Sequence, residues 1–266
     1  FFHAPRYRKL ISSASKGTNI NNLKREHILD IVFYLPPLSE QNQIVSSLEE
    51  LFSDLDNAIE NLKKSQEQLK IYRQAVLKYA FEGRLTHDED NFKIDKMGMV
   101  CERIQNINKS VNPEEQFLYI DIGCVDNKTN RIVGHKTYLW RDAPSRAKQI
   151  IKAGDVLFST VRTYLKNIAI VPPQYDGQIG STGFCVIRPK TDTLDPKYLF
   201  RYVLWDKFIN VISIHQTGTS YPAVRDEDVF SQVIPLPDLV VQRRIVNEIE
   251  CRFSVCGKME EMIENS

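Results

Sequence analysis

The most regular pattern in the chain is a stretch from Ser39 to Glu82 that contains neither glycine nor proline and repeats apolar residues every seven positions. Two prolines precede this stretch, Gly83 follows it, and Ser39 is a suitable N-terminal cap, so the pattern predicts one long helix. A seven-residue apolar period is typical of a coiled coil, and a helix about 65 Å long cannot cover such a seam alone. The predicted seam contains Leu48, Leu51, Leu55, Leu62, Leu69, Tyr72, Val76 and Tyr79.

A different pattern, of short β-prone runs separated by turn signals, extends over residues 86–237. Runs rich in β-branched and aromatic residues between such turns are typical of strands. The predicted strands are Phe117–Ile122, Asp155–Thr160, Ile168–Val171, Phe184–Ile187 and Val233–Leu236. Helices are expected at about 196–214 and 222–231. The predicted fold class is therefore α+β (mixed α/β), a globular domain with a curved, antiparallel or mixed sheet next to long coiled-coil helices.

An internal repeat relates the two ends of the chain. A shift of 201 residues aligns identical residues, among them Gly17-Thr18 with Gly218-Thr219, Leu35-Pro36 with Leu236-Pro237, and Ile44-Val45 with Ile245-Val246. Repeated segments of this kind indicate duplicated structural units. The second copy continues the seven-residue seam, so the expected partner of the seam is this sister helix, or the same helix in another chain. A connector helix packed on its own domain is the alternative.

The repeat divides the chain into four parts. Residues 1–37 are expected to be the tail of a preceding domain, 38–85 the long spacer helix, 86–237 a complete domain, and 238–266 the start of a second spacer helix. The first residue is a phenylalanine, so the chain is expected to be a piece of a longer, duplicated protein.

Composition narrows the class of protein. No apolar run approaches the ~20 residues that a membrane-spanning helix needs, so no membrane association is expected. The five cysteines are scattered and the five histidines show no metal-binding spacing, which argues against disulfides or a zinc site and predicts a cytoplasmic location. The net charge is only +1, but residues 131–190 contain ten Lys and Arg against three Asp, which favours a nucleic-acid-binding surface.

Three catalytic signatures are missing from the sequence. There is no G-x-x-x-x-G-K-[ST] loop for ATP, no Asn-Pro-Pro-Tyr or Asp-Pro-Pro-Tyr element of an adenine methyltransferase, and no clear Asp…Glu-x-Lys nuclease constellation. The Pro36-Pro37 pair lies in Leu-Pro-Pro-Leu and lacks the polar residue that would hold a target amine. The sequence therefore predicts a chain that is not an enzyme by itself and has no metal or cofactor of its own.

Several strings along the chain resemble the target-recognition domains and conserved spacer regions of type I restriction–modification specificity subunits. In the domain they are Tyr119–Ile122, Ala143–Ala147, Gly154–Arg162, Ser181–Phe184 and Gly218–Pro222. At the ends of the helices they are Leu35–Leu38, Glu40-Gln41, Ile44-Val45 and Ala80–Leu85. The resemblance covers nearly the whole chain, in the order of the family. One departure, Thr163 where relatives often have proline, alters a loop expected to face DNA.

This resemblance implies a specific task. In the family, one subunit carries two recognition domains that each read half of a bipartite site in double-stranded DNA, and antiparallel helices hold the domains apart. Two modification subunits, which methylate adenine with S-adenosylmethionine, dock on this subunit, and restriction subunits that are motors and nucleases join them. S-adenosylmethionine, ATP and Mg are therefore expected on partner subunits only. A chain with one complete recognition domain is expected to form a homodimer through its spacer helices.

Candidate DNA contacts follow from residue chemistry. Arg162 follows a predicted strand, where a guanidinium can bind guanine O6 and N7, contact a phosphate, or stay a solvated loop charge. Nearby hydroxyls suit phosphates, base edges or strand ends, and the basic run around Pro144 suits phosphate neutralisation or a solvated surface. The loop from Gly218 to Tyr221 suits DNA contact or a capping turn. The candidate set is Arg141, Arg146, Lys148, Lys152, Ser159, Thr160, Arg162, Thr163, Tyr164, Lys166, Ser181, Thr182, Thr219, Ser220 and Tyr221.

Two other interpretations stay open on the sequence. One is a DNA-recognition segment of a single-chain restriction–methylation enzyme whose catalytic domains precede Phe1, although the duplication favours a separate subunit. The other is a coiled-coil assembly protein without a DNA role, and the basic stretch at 131–190 argues against it.

Overall fold

The computed structural model describes residues 5–14, 25–29, 32, 35–86, 92–104, 106–107, 112–218 and 222–265. The chain forms two compact units, residues 1–61 and 62–266. The helices are α1 (Pro5–Ala14), α2 (Glu26–Leu29), α3 (Leu38–Phe81), α4 (Met97–Val100), α5 (Pro196–Val203), α6 (Asp206–Ser213), α7 (Asp226–Phe230) and α8 (Leu239–Glu264). The division between the units falls inside α3, whose last turns contribute to the core of the second unit.

The strands of the second unit are β1 (Lys93–Lys96), β2 (Cys101–Arg103), β3 (Gln116–Ile120), β4 (Val125–Asp126), β5 (Arg131–Ile132), β6 (Lys136–Leu139), β7 (Ala147–Ile150), β8 (Val156–Ser159), β9 (Ile168–Ile170), β10 (Ile179–Ser181), β11 (Phe184–Pro189) and β12 (Val233–Leu236). They form two four-stranded sheets, ordered β2–β11–β8–β9 and β6–β3–β10–β7, and two pairs, β1–β12 and β4–β5. All pairings are antiparallel except that of β3 with β10, so the predicted mixed α+β fold is confirmed.

The core lies on both faces of the sheet that contains β8 and β11. Val156 and Phe158 pack on one face with residues of α3, α5, α6 and α8, whereas Leu157 and Phe184 lie on the other face toward the second sheet. A strand buried on both faces needs apolar residues at successive positions. This explains why both strands read as continuous apolar runs rather than as alternating patterns.

The predicted helix at about 196–214 is two helices. Asp195 starts α5, because its Oδ1 accepts hydrogen bonds from the backbone N–H groups of Lys197 (2.9 Å) and Tyr198 (3.2 Å). The chain then turns at Leu204 and Trp205, and both side chains enter the core. Phe81 at the end of α3 packs against the same region, with its ring centroid 5.8 Å from that of Trp205.

The repeat is visible in the structure. The two long helices begin at Leu38 and Leu239, which are 201 residues apart. In each copy a glutamine lies three residues after the first residue of the helix, and its Nε2 donates a hydrogen bond to the carbonyl of a proline two residues before the helix. The pairs are Gln41 with Pro36 and Gln242 with Pro237, both at 2.7 Å. The two copies therefore share the same local structure at the helix start.

Within the second unit, the last turns of α3 run antiparallel to α8. Arg73 donates to Glu260 at 2.8 Å and lies over the ring of Phe253, while Val76 shares a core cluster with Ile249. Residues later in α3 therefore lie beside residues earlier in α8, which is an antiparallel arrangement. The sister helix is thus the partner of this part of the seam. Leu69 and Val76 of the predicted seam are buried here, and Tyr72, although partly exposed, bonds to Arg252 of α8. Tyr79 is also partly exposed, since the end of α3 packs on α5 and turns Leu77, Ala80 and Phe81 inward.

Candidate nucleic-acid interface

The most unusual backbone in the domain is the turn from Arg162 to Lys166 that follows β8. Residues 163–165 form one 3-10 turn between two left-handed residues, Arg162 at φ 50° and Lys166 at φ 52°. Neither residue is glycine, and such conformations are uncommon for side chains longer than those of Asn and Asp. A turn of this shape persists only where the surrounding structure holds it.

Side chains of α6 and the segment after it hold the turn from one side. Thr163 is buried, and its Oγ1 lies 2.8 Å from the hydroxyl of Ser213 and accepts a 2.6 Å hydrogen bond from Gln216 Nε2. The Lys166 ammonium donates hydrogen bonds to the carboxylate of Asp206 and to the carbonyl of Leu204. Thr163 and Lys166 therefore anchor the turn to the protein, and their polar groups are engaged within it.

The β4–β5 turn holds the same segment from a second direction. Asn127 Nδ2 donates to the carbonyl of Leu165 at 3.0 Å. Asn130 Nδ2 donates to the carbonyls of Lys166 at 2.9 Å and Ile168 at 3.2 Å. These asparagines were not among the predicted residues. The Asp126-Asn127 turn signal was visible in the sequence, but nothing there connected it to a loop 36 to 38 residues away.

Arg162, Tyr164 and Leu165 are the exposed residues of this turn, and two of them, the arginine and the tyrosine, carry polar groups. Arg162 is exposed, and its backbone N–H donates to the carbonyl of Pro222 at 2.9 Å. Tyr164 is 58% exposed. A guanidinium binds guanine edges or phosphates in a fixed fork, and a tyrosine ring packs on sugars and bases. The turn thus presents suitable chemistry on a fixed backbone.

The hydroxyls near the turn are mostly buried and engaged in internal bonds. Ser159 Oγ donates to the carbonyl of Val161 at 2.9 Å, and Thr160 Oγ1 donates to that of Gly183 at 3.0 Å. Ser181 Oγ accepts from the backbone N–H of Gly183 at 3.1 Å. These three side chains are at most 7% exposed, so they shape the ends of β8 and β10 and do not face solvent.

Thr182 is exposed, and it brings one predicted cation to this end of the sheets. Its backbone N–H donates to the carbonyl of Arg146 at 3.0 Å, and Arg146 is exposed at the start of β7. The backbone N–H of Thr160 donates to the carbonyl of Gly183, which connects the same corner to the end of β8. Arg146 and Thr182 therefore lie at the end of the sheets where Arg162 follows β8.

The other predicted cations lie elsewhere. Lys148 is exposed on the outer face of β7, and Lys152 follows the far end of that strand and precedes β8. Arg141 follows β6 and donates to both oxygens of Glu114, at 2.7 and 2.9 Å. Leu139, at the end of β6 just before Arg141, pairs with Gln116 at the beginning of β3. Arg141 therefore lies at the end of β3 opposite to the end that pairs with Gly180. The basic run is therefore divided between opposite ends of the sheets.

A further ion pair lies at the end of the sheets that carries Arg146 and Thr182. Lys136 donates to Asp121, which follows β3, and Tyr119 on that strand bonds to Ser181. Burial opposes ionisation of Asp121, but the Lys136 ammonium and the Cys124 thiol bond to the carboxylate and hold its pKa below the usual value. Lys136 is thus a cation at the Arg162 end that was not predicted, with its charge balanced by the neighbouring carboxylate.

The third predicted segment is only partly described. Thr217 and Val161 each form a β-bridge with Ala223, so the ends of the Gly218–Pro222 loop lie next to Arg162. Thr219, Ser220 and Tyr221 lie outside the described residues. Over the described ranges, no cluster of three His, Cys, Asp or Glu side chains is arranged to hold a metal ion. Among the described helices, none is long and apolar enough to span a bilayer.

Sequence comparisons agree with the resemblance seen in the motifs. A family profile described as the type I restriction modification DNA specificity domain matches residues 2–70 and 100–251. The type I restriction enzyme EcoDI specificity subunit of Escherichia coli is 24% identical over 97% of this chain and 63% of that protein. The EcoKI specificity subunit of Escherichia coli strain K12 is 27% identical over 98% of this chain and 59% of that protein. The chain thus spans about three fifths of these relatives.

Solved structures give the same result at higher identity. The crystal structure of the HsdS subunit from Thermoanaerobacter tengcongensis is 42% identical, with a TM-score of 0.60, over 65% of this chain and 44% of that chain. A chain from a study of complex assembly and conformational transition of the type I restriction–modification system is also 42% identical, with a TM-score of 0.61 and the same coverage.

Proposed function

Since the chain belongs to the type I restriction–modification DNA specificity family, we propose that it reads one half of a bipartite target in double-stranded DNA. It docks adenine-methyltransferase subunits, two in a complete complex, and restriction subunits join that assembly. It contributes no catalytic residue, metal or cofactor of its own, and S-adenosylmethionine, ATP and Mg act on the partner subunits. The protein works in the cytoplasm, where the DNA is.

The Arg162–Lys166 turn is the observation that carries this proposal. Its backbone conformation is unfavourable for non-glycine residues, and polar side chains from two directions hold it in place. Backbone strain of this kind is concentrated at functional sites, where a fixed geometry is needed. A turn held in this way supports Arg162 as a base-reading residue and Tyr164 as a neighbouring contact.

The surrounding residues support a division of tasks. Arg146 and Thr182 are exposed at the same end as Arg162 and suit phosphate contacts. Ser159, Thr160 and Ser181 are buried, so in this proposal they position the strand ends instead of touching DNA. Phosphate contacts give affinity and register, whereas base contacts give sequence preference.

The modification complex containing this chain provides a direct test. Affinity is measured by titrating the complex into a duplex that carries its mapped methylation target and into a random duplex. We expect Arg162→Ala to lower the preference for the target by about 1–3 kcal/mol, which is the contribution of one bidentate base contact. Lys152→Ala removes a cation at the other end of β8 and is the matched control.

Two outcomes would contradict the proposal. A complex that binds all duplexes equally has no sequence-reading component. A complex in which Lys152→Ala lowers the preference as much as Arg162→Ala places the DNA elsewhere on the domain.

A further inference from the structure

The β4–β5 turn is a small, internally bonded structure. The two carboxylate oxygens of Asp126 accept hydrogen bonds from the backbone N–H groups of Lys128 (3.1 Å) and Thr129 (3.2 Å), and from the hydroxyl of Thr129 at 2.6 Å. Asn130 closes the turn at φ 54°, a left-handed conformation that asparagine tolerates better than most residues. A turn bonded in this way keeps the two amides of Asn127 and Asn130 in fixed positions.

Those amides bond to the C-terminal end of the Arg162–Lys166 turn and to the residues just after it. They donate to three backbone carbonyls, those of Leu165, Lys166 and Ile168. Thr163 is held on the other side by Ser213 and Gln216. The left-handed residue Lys166 therefore lies between a contact to α6 and a contact to the β4–β5 turn.

We propose that Asn127 and Asn130 are positioning residues for DNA sequence selection, because their amides hold the turn that presents Arg162. The inference rests on the proposed function. Bidentate recognition of a base needs the guanidinium within about 0.5 Å of its productive position. Without the amides, Lys166 returns toward a more favourable backbone conformation and Arg162 moves with it. Non-specific attraction to phosphates does not need this precision.

Asn130→Gly is the informative variant, because glycine keeps the positive φ and removes both amide hydrogen bonds. It is introduced into the specificity subunit and tested with the methyltransferase partner. We expect the ratio of affinities for target and random duplex to fall about tenfold, while affinity for random duplex stays within about twofold. Mapping of methylated adenines should show weaker base preference at one or more positions of the motif.

Asn112→Gly is the matched control. Asn112 is likewise an asparagine in a turn, although an exposed one, and its Oδ1 accepts a hydrogen bond from the backbone N–H of Glu114 at 3.1 Å. That turn lies beside Arg141, at the other end of the sheet. The control variant should keep the wild-type motif and the wild-type affinity ratio. Asn127→Ala, which removes a single hydrogen bond, is the milder second variant should Asn130→Gly not fold.

The outcomes separate a positioning role from a structural one. A lower melting temperature with an unchanged motif and equal loss of affinity on all duplexes overturns the inference. So does an unchanged affinity ratio in Asn127→Ala and Asn130→Gly together. A wild-type complex without any sequence preference contradicts the proposed function itself, whereas failure of the inference alone leaves the wild-type preference intact.

Discussion

At the scale of single residues, two glutamines at equivalent repeat positions have different surroundings. Gln242 is fully buried, and besides its bond to Pro237 it accepts from the backbone N–H of Asp195 and donates to the carbonyl of Thr193. Gln41 makes the same bond to Pro36 and is partly exposed. One side chain thus joins the start of α8 to the segment before α5, whereas the other, among the residues that the structure describes, bonds to the segment before its own helix.

We expect Gln242→Ala to lower the free energy of unfolding of the second unit by roughly 2–4 kcal/mol, because it leaves buried backbone groups without partners. Urea unfolding followed by tryptophan fluorescence measures this, since both tryptophans, Trp140 and Trp205, lie in that unit. Gln41→Ala is the control and should leave the same transition within about 0.5 kcal/mol of wild type. Equal losses in the two variants would show that the additional bonds of Gln242 contribute nothing.

At the scale of elements, the two copies of the spacer helix differ in what covers them. Ile249 is fully buried in the second unit, whereas its equivalent in the first unit, Leu48, is 46% exposed. Leu51 and Leu55 are also exposed, so a line of leucines on α3 has no cover among the described residues. A heptad line of this kind is typical of a helix that pairs. It supports the proposal that the isolated chain pairs with a second copy through its spacer helix.

Replacing Leu48, Leu51 and Leu55 together by Glu is expected to convert such a dimer to a monomer, because acidic side chains in a seam repel and remove the buried apolar area. Sedimentation velocity over a range of concentrations measures the mass. Ser46→Glu with Ser53→Glu adds charge on the opposite face of the same helix and should leave the mass unchanged. A wild-type chain that is monomeric at high concentration contradicts the pairing.

At the scale of the whole second unit, charge is distributed between two ends of the sheets. Arg146 lies at the end where Arg162 follows β8, whereas Arg141 lies at the other end beside Glu114. Each phosphate that a protein neutralises releases condensed counterions, and the salt dependence of binding counts these contacts. An interface at one end should therefore depend on Arg146 and not on Arg141.

Arg146→Gln is expected to reduce the slope of log affinity against log salt by about 0.9, which corresponds to one phosphate contact on duplex DNA. The affinity of the modification complex for random duplex is measured at several salt concentrations. Arg141→Gln is the control and should keep the wild-type slope. A reduced slope in the control with an unchanged slope in Arg146→Gln would assign the phosphates to the opposite end.

The sequence by itself determined the long helices, the repeat and most strands of the β2–β11–β8–β9 sheet. Helix caps, the seven-residue period and continuous apolar runs are local signals that can be read without the fold. The buried strands β8 and β11 show the last of these signals, a continuous apolar run. The family was recognisable for the same reason, since its motifs lie at the ends of these elements. Arg162 was identified because an arginine directly after a strand is visible without knowledge of the fold.

Only the tertiary structure decided which polar residues face solvent and which act together. Ser159, Thr160 and Ser181 are buried because other segments close over them, and no local pattern reports that. Arg141 and Arg146 are five residues apart in sequence, yet the chain crosses to the opposite end of the sheets between them. Asn130 supports the Arg162 turn from a strand pair far away in sequence, because contacts between distant segments depend on how the whole chain packs.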